Sequence, residues 1–126
     1  MNLLCRHCHA PIARRIEPVD PDFRWIFNCQ HDVVPTGRFA VGDCSYSELT
    51  KDHFIIHLDD LIGLSHPTND EYRGYGCCGY WDANGPNLVC ACGAEIGYEM
   101  SDCGSPRMAH FPPSDVILDS EQGPHD

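Results

Sequence analysis

Two closely spaced cysteine pairs, far apart in the chain, constrain the fold more than any other feature. Cys5 and Cys8 lie in the segment Cys-Arg-His-Cys, and Cys90 and Cys92 lie in the segment Cys-Ala-Cys-Gly. Four thiolates that meet in space are a typical tetrahedral ligand set for a structural Zn²⁺ ion. We therefore predict that these four cysteines bind one Zn²⁺ ion and join the first strand of the domain to a late hairpin.

The other cysteines favour metal or redox chemistry over a disulfide scaffold. The chain has 9 cysteines, an odd number, and its sequence shows neither a signal peptide nor an apolar run of membrane-spanning length. We therefore expect a cytoplasmic protein with no membrane partner, in a compartment where disulfides are rare. Cys29 and Cys44 are predicted to be small buried hydrophobic residues. For Cys77, Cys78 and Cys103, three alternatives stay open: a second metal site, a replacement ligand in the first site, or free thiols.

The charge distribution argues against nucleic acid as a partner. The net charge is 8 − 19 = −11 at pH 7. Residues 1–40 carry five arginines and four acidic residues, whereas residues 41–126 carry three basic and fifteen acidic residues. Phosphate backbones are bound mainly through lysine and arginine. An acidic surface of this kind repels them.

The length and composition predict one small domain that is mainly β. The chain of 126 residues fits a single domain. Its 10 prolines and 11 glycines favour short strands and turns over long helices. We predict an antiparallel, zinc-stabilised β-sheet domain with little helix over residues 1–120 and a disordered tail over residues 121–126. Strands are expected at 23–27, 54–58 and 88–89, and a final strand or turn is expected at 116–118. One helical turn is expected within 59–64.

Aromatic residues near the second cysteine pair suggest a ligand pocket. Tyr80 and Trp81 lie in a segment rich in glycine and aromatic residues, and Tyr98 follows the second pair. Such rings either fill the core or line a pocket for a cation or a flat molecule. We predict that these three residues bind a small molecule or a peptide segment.

Charged and polar neighbours refine this prediction. Asp82, Glu95 and Glu99 would give the pocket an acidic rim, which favours a cationic or hydrogen-bond-donating partner. His53 and His57 fall on a predicted strand, where residues four apart are separated by about 13 Å. We therefore expect these histidines to be surface residues or to have hydrogen-bond partners, and not to share a metal ion.

The order of these motifs resembles that of the β-tent zinc proteins. This superfamily includes the thalidomide-binding domain of cereblon, the yippee-like proteins and the type-B methionine sulfoxide reductases, and the chain looks closest to small uncharacterised bacterial members. In these proteins the last zinc cysteine precedes Gly-x-His-Leu-Gly-aromatic. Here residues 92–98 read Cys-Gly-Ala-Glu-Ile-Gly-Tyr, with Glu95 in place of the histidine. The resemblance implies a β-tent fold and a four-cysteine zinc site.

The chain also departs from the family pattern. Its second cysteine pair is Cys-x-Cys where the family has Cys-x-x-Cys, so either the turn is tighter or one ligand comes from elsewhere. Cereblon-like proteins bind cyclic imides in a cage of three tryptophans. Trp81 and Tyr98 fall near two of those places, and of the two only Trp81 is a tryptophan.

Three functions fit these residues. We favour a zinc-stabilised binding module without catalytic residues. The alternative is a thiol-dependent redox enzyme that uses Cys103 or the pair Cys77 and Cys78, although acidic neighbours disfavour a reactive thiolate at Cys103. The third is a zinc hydrolase, in which either Cys90 or Cys92 is not a ligand and His7 or water completes the zinc coordination.

Overall fold

Two β-sheets make up nearly all the regular structure of the chain. The computed structural model describes residues 1–67, 78–82 and 85–120. Two helical turns of three residues, Glu48–Thr50 and Leu58–Asp60, are the helices of this part of the chain, and neither could cross a membrane. The predicted mainly β fold with little helix is confirmed. Its strands are β1 Asn2–Cys5, β2 Pro11–Ala13, β3 Glu17–Pro18, β4 Arg38–Val41, β5 Phe54–Ile56, β6 Leu64–Ser65, β7 Leu88–Cys90, β8 Glu95–Met100, β9 Met108–Phe111 and β10 Val116–Asp119.

The strands are divided unequally between the two sheets. The small sheet has the order β10-β1-β2, and the large sheet has the order β3-β4-β5-β9-β8-β7-β6. All pairs are antiparallel except β3 and β4, which run parallel. The first and last strands therefore lie side by side in the small sheet, while the strands between them build the large one.

The first face of the large sheet forms the main core with the small sheet. Phe39 pairs with Ile56, and Ile56 pairs with Ala109, so these three side chains point to the same face. They pack in one cluster with Leu3 and Val116 of the small sheet. Full burial of a Leu or Val side chain contributes about 1.5–3 kcal/mol. The main core therefore holds the two sheets together along their length.

The opposite face of the large sheet carries a second core. Ala40 pairs with Ile55, and Met100 pairs with Met108. All four side chains are buried together with Val34. Because both faces of the large sheet are covered, β5 is apolar at consecutive positions and does not alternate.

The predicted strand at residues 23–27 is wrong. These residues join no β-ladder, although Phe23, Trp25 and Phe27 pack on the second core. The ring centroids of Phe23 and Trp25 lie 5.0 Å apart, and those of Trp25 and Phe27 lie 5.7 Å apart. The alternation of apolar residues correctly indicated that alternate side chains point the same way. A strand also needs a neighbouring backbone for hydrogen bonds, and this segment covers a sheet face instead of extending an edge.

The other predicted strands are confirmed in whole or in part. Segments 88–89 and 116–118 lie in β7 and β10. Only the first three residues of the predicted strand at 54–58 belong to β5, because the chain turns into the helical turn Leu58–Asp60. That turn begins one residue before the predicted segment 59–64.

The predicted burial of Cys29 and Cys44 is wrong, because both side chains are exposed. Each lies in a loop outside the two cores. Cys29 precedes Gln30, whose φ is +65°, and Cys44 itself has a φ of +76°, so both loops contain left-handed backbone. A small apolar side chain is buried only where the backbone enters a core. The predicted tail 121–126 and Cys77 lie outside the described residues.

Gly97 of β8 allows a buried ring to lie directly against the backbone. A Cβ atom at this position would overlap the ring of Phe111, which is fully buried in the main core. We predict that Gly97→Ala lowers the free energy of unfolding by about 1–3 kcal/mol, because an overpacked core must shift. Urea denaturation of the metal-loaded protein would measure this change.

Gly104→Ala is the matched control. The nearest atom to a Cβ at Gly104 lies 4.0 Å away, and its backbone needs no left-handed conformation. Its effect should stay within about 0.5 kcal/mol. Equal stability of the two variants would contradict the packing role of Gly97.

Candidate metal centre and histidine cluster

The first cysteine pair lies in a tight turn at the end of β1. Cys5 is the last residue of β1, and its N–H donates to the carbonyl oxygen of Ala10 at 2.8 Å. The N–H of His9 donates back to the carbonyl oxygen of Cys5 at 2.7 Å. The N–H of His7 donates to Sγ of Cys5 at 3.3 Å. These bonds fold the turn around the two sulfur atoms and leave His9, directly after Cys8, at a φ of +66°.

The second pair lies in a shorter version of the same turn at the end of β7. The N–H of Cys90 donates to the carbonyl oxygen of Ala94 at 2.9 Å. The N–H of Gly93 donates to the carbonyl oxygen of Cys90 at 2.8 Å. Each bond closes a loop one residue shorter than its counterpart in the first turn. Gly93, directly after Cys92, has a φ of +94°. The Cys-x-Cys spacing therefore gives a tighter turn, and no substitute ligand is needed.

The two turns bring the four predicted sulfur atoms together. The Sγ atoms of Cys5, Cys8, Cys90 and Cys92 all lie within 4.8 Å of one another. Sγ of Cys5 lies 3.9 Å from Sγ of Cys92, and Sγ of Cys8 lies 3.5 Å from Sγ of Cys90. A tetrahedron with Zn–S bonds of about 2.3 Å has sulfur–sulfur edges of roughly 3.8 Å. A disulfide needs about 2.05 Å. The spacing fits a shared metal ion.

Burial divides the four thiols into two inner and two outer groups. Cys5 and Cys90 are buried, whereas Cys8 and Cys92 are exposed. Burial raises the pKa of Cys5 and raises the pKa of Cys90 to about 12. The backbone N–H of Ala10 lowers the pKa of Cys8. A cation bound among the four sulfurs would favour their deprotonated forms.

The four-sulfur cluster connects the two sheets. Cys5 ends a strand of the small sheet, and Cys90 ends a strand of the large sheet. Both residues also belong to the main core cluster. A metal ion bound to these sulfur atoms would therefore hold the two sheets together at one end of the main core.

A second group of polar side chains lies on the second face of the large sheet. Nε2 of His110 lies 2.8 Å from Oδ2 of Asp82, and Nδ1 of His110 lies 2.9 Å from Nδ1 of His53. The ring of Tyr98 stacks on His110, with centroids 4.7 Å apart and planes 11° apart. We call Asp82, His110, His53 and Tyr98 the histidine cluster. His110 is fully buried, so its nitrogen atoms depend on these partners.

The contacts fix the tautomers of the two histidines. A carboxylate only accepts hydrogen bonds, so Nε2–H of His110 donates to Asp82. When both rings are neutral, Nδ1 of His110 must accept the proton of Nδ1–H of His53. Nε2 of His53 then carries a lone pair and no proton. Nε2 of His53 has no hydrogen-bond partner among the described residues. Every buried side-chain nitrogen of these residues has a partner, so Nε2 of His53 must be in contact with solvent.

A third set of contacts places the predicted ligand-binding residue Tyr80. Its ring stacks on His66 with centroids 3.8 Å apart, and Nε2 of His66 lies 2.7 Å from Oε1 of Glu99. Buried Asn87 donates to the carbonyl oxygens of Trp81 and Glu99, at 3.0 and 3.2 Å. These bonds attach the segment that carries Tyr80 and Trp81 to β8.

The three predicted ligand-binding residues lie around these groups, and no ring contact between them occurs in the described part of the chain. Tyr80 stacks on His66, Tyr98 stacks on His110, and the side chain of Trp81 is 44% exposed. A nearby surface depression on the second face is lined by other residues, among them Trp25, Phe27, Gly42 and Tyr46. The pocket prediction for Tyr80, Trp81 and Tyr98 stays a prediction.

The sequence predicted that His53 and His57 have partners or lie at the surface, but it did not predict the contacts of His110. His53 bonds to His110, and His57 lies 3.1 Å from Asp32, so both have partners, as predicted. The bonds of His110 to His53 and to Asp82 were not predicted. These residues are 57 and 28 positions apart from His110, and no local pattern links them.

Protein-family models, curated proteins and solved structures give no match to the chain. The resemblance to the β-tent zinc proteins therefore still depends on the cysteine spacing and on the motif at residues 92–98.

The buried His53 predicts a pH-dependent stability. Burial, with repulsion from His110, lowers the pKa of His53 to about 4. The unfolded chain, in which a histidine titrates near 6.5, then binds more protons between pH 6.5 and 4. We predict that the free energy of unfolding falls by up to about 3 kcal/mol as the pH drops through this window. Thermal or urea unfolding at graded pH would measure it.

His53→Gln should remove the decrease in unfolding free energy between pH 6.5 and 4 that His53 causes. Gln can still donate a hydrogen bond to His110, but it cannot be protonated. Exposed His31 provides the control, and His31→Gln should keep the wild-type slope. Protonation of the cysteines affects all three proteins alike. Parallel pH profiles for wild type and His53→Gln would contradict the prediction.

Proposed function

We propose that the chain is a zinc-stabilised binding module in which Cys5, Cys8, Cys90 and Cys92 hold one structural Zn²⁺ ion. The observation that carries the proposal is the approach of all four sulfur atoms to within 4.8 Å. Four thiolate ligands leave no open coordination position, which is characteristic of structural zinc. The ion would contribute free energy of folding, and the binding chemistry would come from other residues.

The same residues give less support to the two enzyme hypotheses. A zinc hydrolase needs His7 or water in place of Cys90 or Cys92, but both sulfurs lie in the cluster, and Nε2 of His7 lies 3.1 Å from Asp115. A redox enzyme needs a thiolate at Cys103 or in the pair Cys77 and Cys78. Cys103 and Cys78 both lie beside the carboxylate of Asp102, and Cys77 lies outside the described residues. A neighbouring negative charge disfavours a thiolate.

The ligand surface of this proposal extends from Trp81 across the histidine cluster to the surface depression. Tyr46 lines the depression and lies close enough to Asp82 for that carboxylate to add to the rise in its pKa that burial causes. Gly42, also in the lining, has its N–H bonded to the carbonyl oxygen of His53 at 2.8 Å. The depression and the cluster are therefore neighbours.

The chemistry of this surface indicates the kind of ligand. Nε2 of His53 offers a lone pair, and the side chains of Trp81 and Tyr46 offer exposed ring surface. Asp82 and Glu99 already bond to His110 and His66, which leaves less of the predicted acidic rim for a cation. The ligand we propose is a small molecule or peptide segment with a flat group that donates an N–H or O–H hydrogen bond.

Removal of zinc tests the structural role. We predict that the wild-type protein binds zinc and that a strong chelator abolishes its cooperative thermal unfolding, because metal binding supplies most of the folding free energy at such sites. Cys8→Ser should lose one zinc ion per chain and unfold in the same way. The exposed Cys44 gives the control, and Cys44→Ser should keep the wild-type zinc content and melting curve. Identical melting with and without chelator would refute the proposal.

A fragment screen tests the ligand surface. Saturation-transfer NMR with flat, neutral heterocycles that carry one N–H donor should detect binders of the zinc-loaded protein. We predict that Trp81→Ala and His53→Ala each weaken these binders at least about tenfold, because the first removes a ring face and the second removes the hydrogen-bond acceptor. Ile26, which is 56% exposed, provides a control for loss of exposed apolar surface. Binding that survives both variants and is lost in Ile26→Ala would place the ligand elsewhere.

A further inference from the structure

A second group of metal-binding side chains lies away from the four-sulfur cluster. The Sγ atoms of Cys78 and Cys103 and a carboxylate oxygen of Asp102 all lie within 4.8 Å of one another. Cys78 is exposed, and the other two are partly exposed, so an ion could enter from solvent. Two cysteines and one aspartate form a ligand set that suits Zn²⁺, which accepts sulfur and carboxylate oxygen together.

The backbone around Cys78 repeats a feature of the first cysteine turn. The N–H of Cys103 donates to Sγ of Cys78 at 3.3 Å, and the N–H of His7 donates to Sγ of Cys5 at the same distance. A hydrogen bond from a backbone N–H favours the negatively charged form of a sulfur atom. Sγ of Cys78 therefore receives the same kind of backbone hydrogen bond as a ligand of the four-sulfur cluster.

The two segments that supply these ligands are tightly joined. A Cβ atom on Gly79 would lie 2.5 Å from the carbonyl oxygen of Ser101, so only glycine permits this approach. The N–H groups of Ser101 and Asp102 donate to the carbonyl oxygen of Tyr80 at 2.7 and 3.0 Å. Oδ1 of Asp102 accepts from the N–H of Cys78 at 2.9 Å, which orients the carboxylate. The ligand atoms therefore lie on a preorganised backbone.

We infer that Cys78, Asp102 and Cys103 form a second Zn²⁺ site, independent of the four-cysteine site. Its two thiolates and one carboxylate would place three negative charges around a divalent cation and supply three protein ligands. A cation bound among these side chains would favour their deprotonated forms. The net charge of −11 adds a long-range attraction for cations.

The position of the site indicates what the second ion does. Residues 78–82 carry Trp81 and Asp82, and Asp82 bonds to His110 in the histidine cluster. An ion between Cys78 and Cys103 would fix this segment to the turn after β8. It would thereby hold the exposed ring of Trp81 and the carboxylate of Asp82 in place on the proposed ligand surface.

Zinc stoichiometry tests the second site. The full chain is purified in a phosphine reductant and loaded with Zn²⁺, and bound ions are counted by native mass spectrometry with metal analysis. We expect two zinc ions in wild type and one in Cys103→Ser, whose circular dichroism should remain that of a folded protein. Cys44→Ser, the exposed control, should keep two. Asp102→Asn keeps an oxygen that can accept from the N–H of Cys78. It should lower the zinc affinity of the second site at least about tenfold, as measured by chelator competition.

The outcomes separate this site from the four-cysteine site. A wild-type protein with one zinc ion that Cys103→Ser retains would overturn the second site and leave the first in place. Equal zinc content in wild type and Cys103→Ser would also overturn it. An unchanged zinc affinity in Asp102→Asn would exclude the carboxylate as a ligand and so contradict the three-ligand site.

Discussion

The meeting of two strand ends at four sulfur atoms is the constraint on which the rest of the structure depends. β1 and β7 belong to different sheets and end in turns that point their cysteines at one another. Apolar packing between the sheets is non-directional, whereas a tetrahedral ligand set fixes distance and angle. A bound ion would therefore select one arrangement of the two sheets in a chain with a modest core.

The two cysteine turns show how similar local geometry can arise from different spacing. The Cys5 turn closes over five residues and the Cys90 turn over four, with left-handed backbone after the second cysteine in both. At His9 that conformation is strained for a side chain, and at Gly93 it costs little. Deleting one residue from such a turn preserves the direction of the sulfur atoms, because the strand end and its closing hydrogen bonds remain.

The two faces of the large sheet differ in the chemistry of their buried side chains. The face toward the small sheet is filled by aliphatic and phenylalanine side chains, while the opposite face combines apolar residues with buried His110 and His53. A buried histidine is costly unless each nitrogen has a partner or reaches solvent. The chain from Asp82 through His110 to His53 meets that requirement and leaves one basic nitrogen at the surface. Groups placed at such cost are frequent at binding and catalytic sites.

The sequence by itself determined the features that depend on local spacing. Ligand chemistry and short-range patterns predicted the approach of the four cysteine sulfur atoms and the mainly β fold class. They also predicted the regular segments at 88–89 and 116–118. Only the tertiary structure decided which residues distant in sequence would meet. Residues 23–27 alternate like a strand but pack on a sheet face, and Cys29 and Cys44 lie in loops outside both cores. The pairing of His53 with His110, and of Cys78 with Cys103, depends on strand register and close backbone approach, which no local pattern encodes.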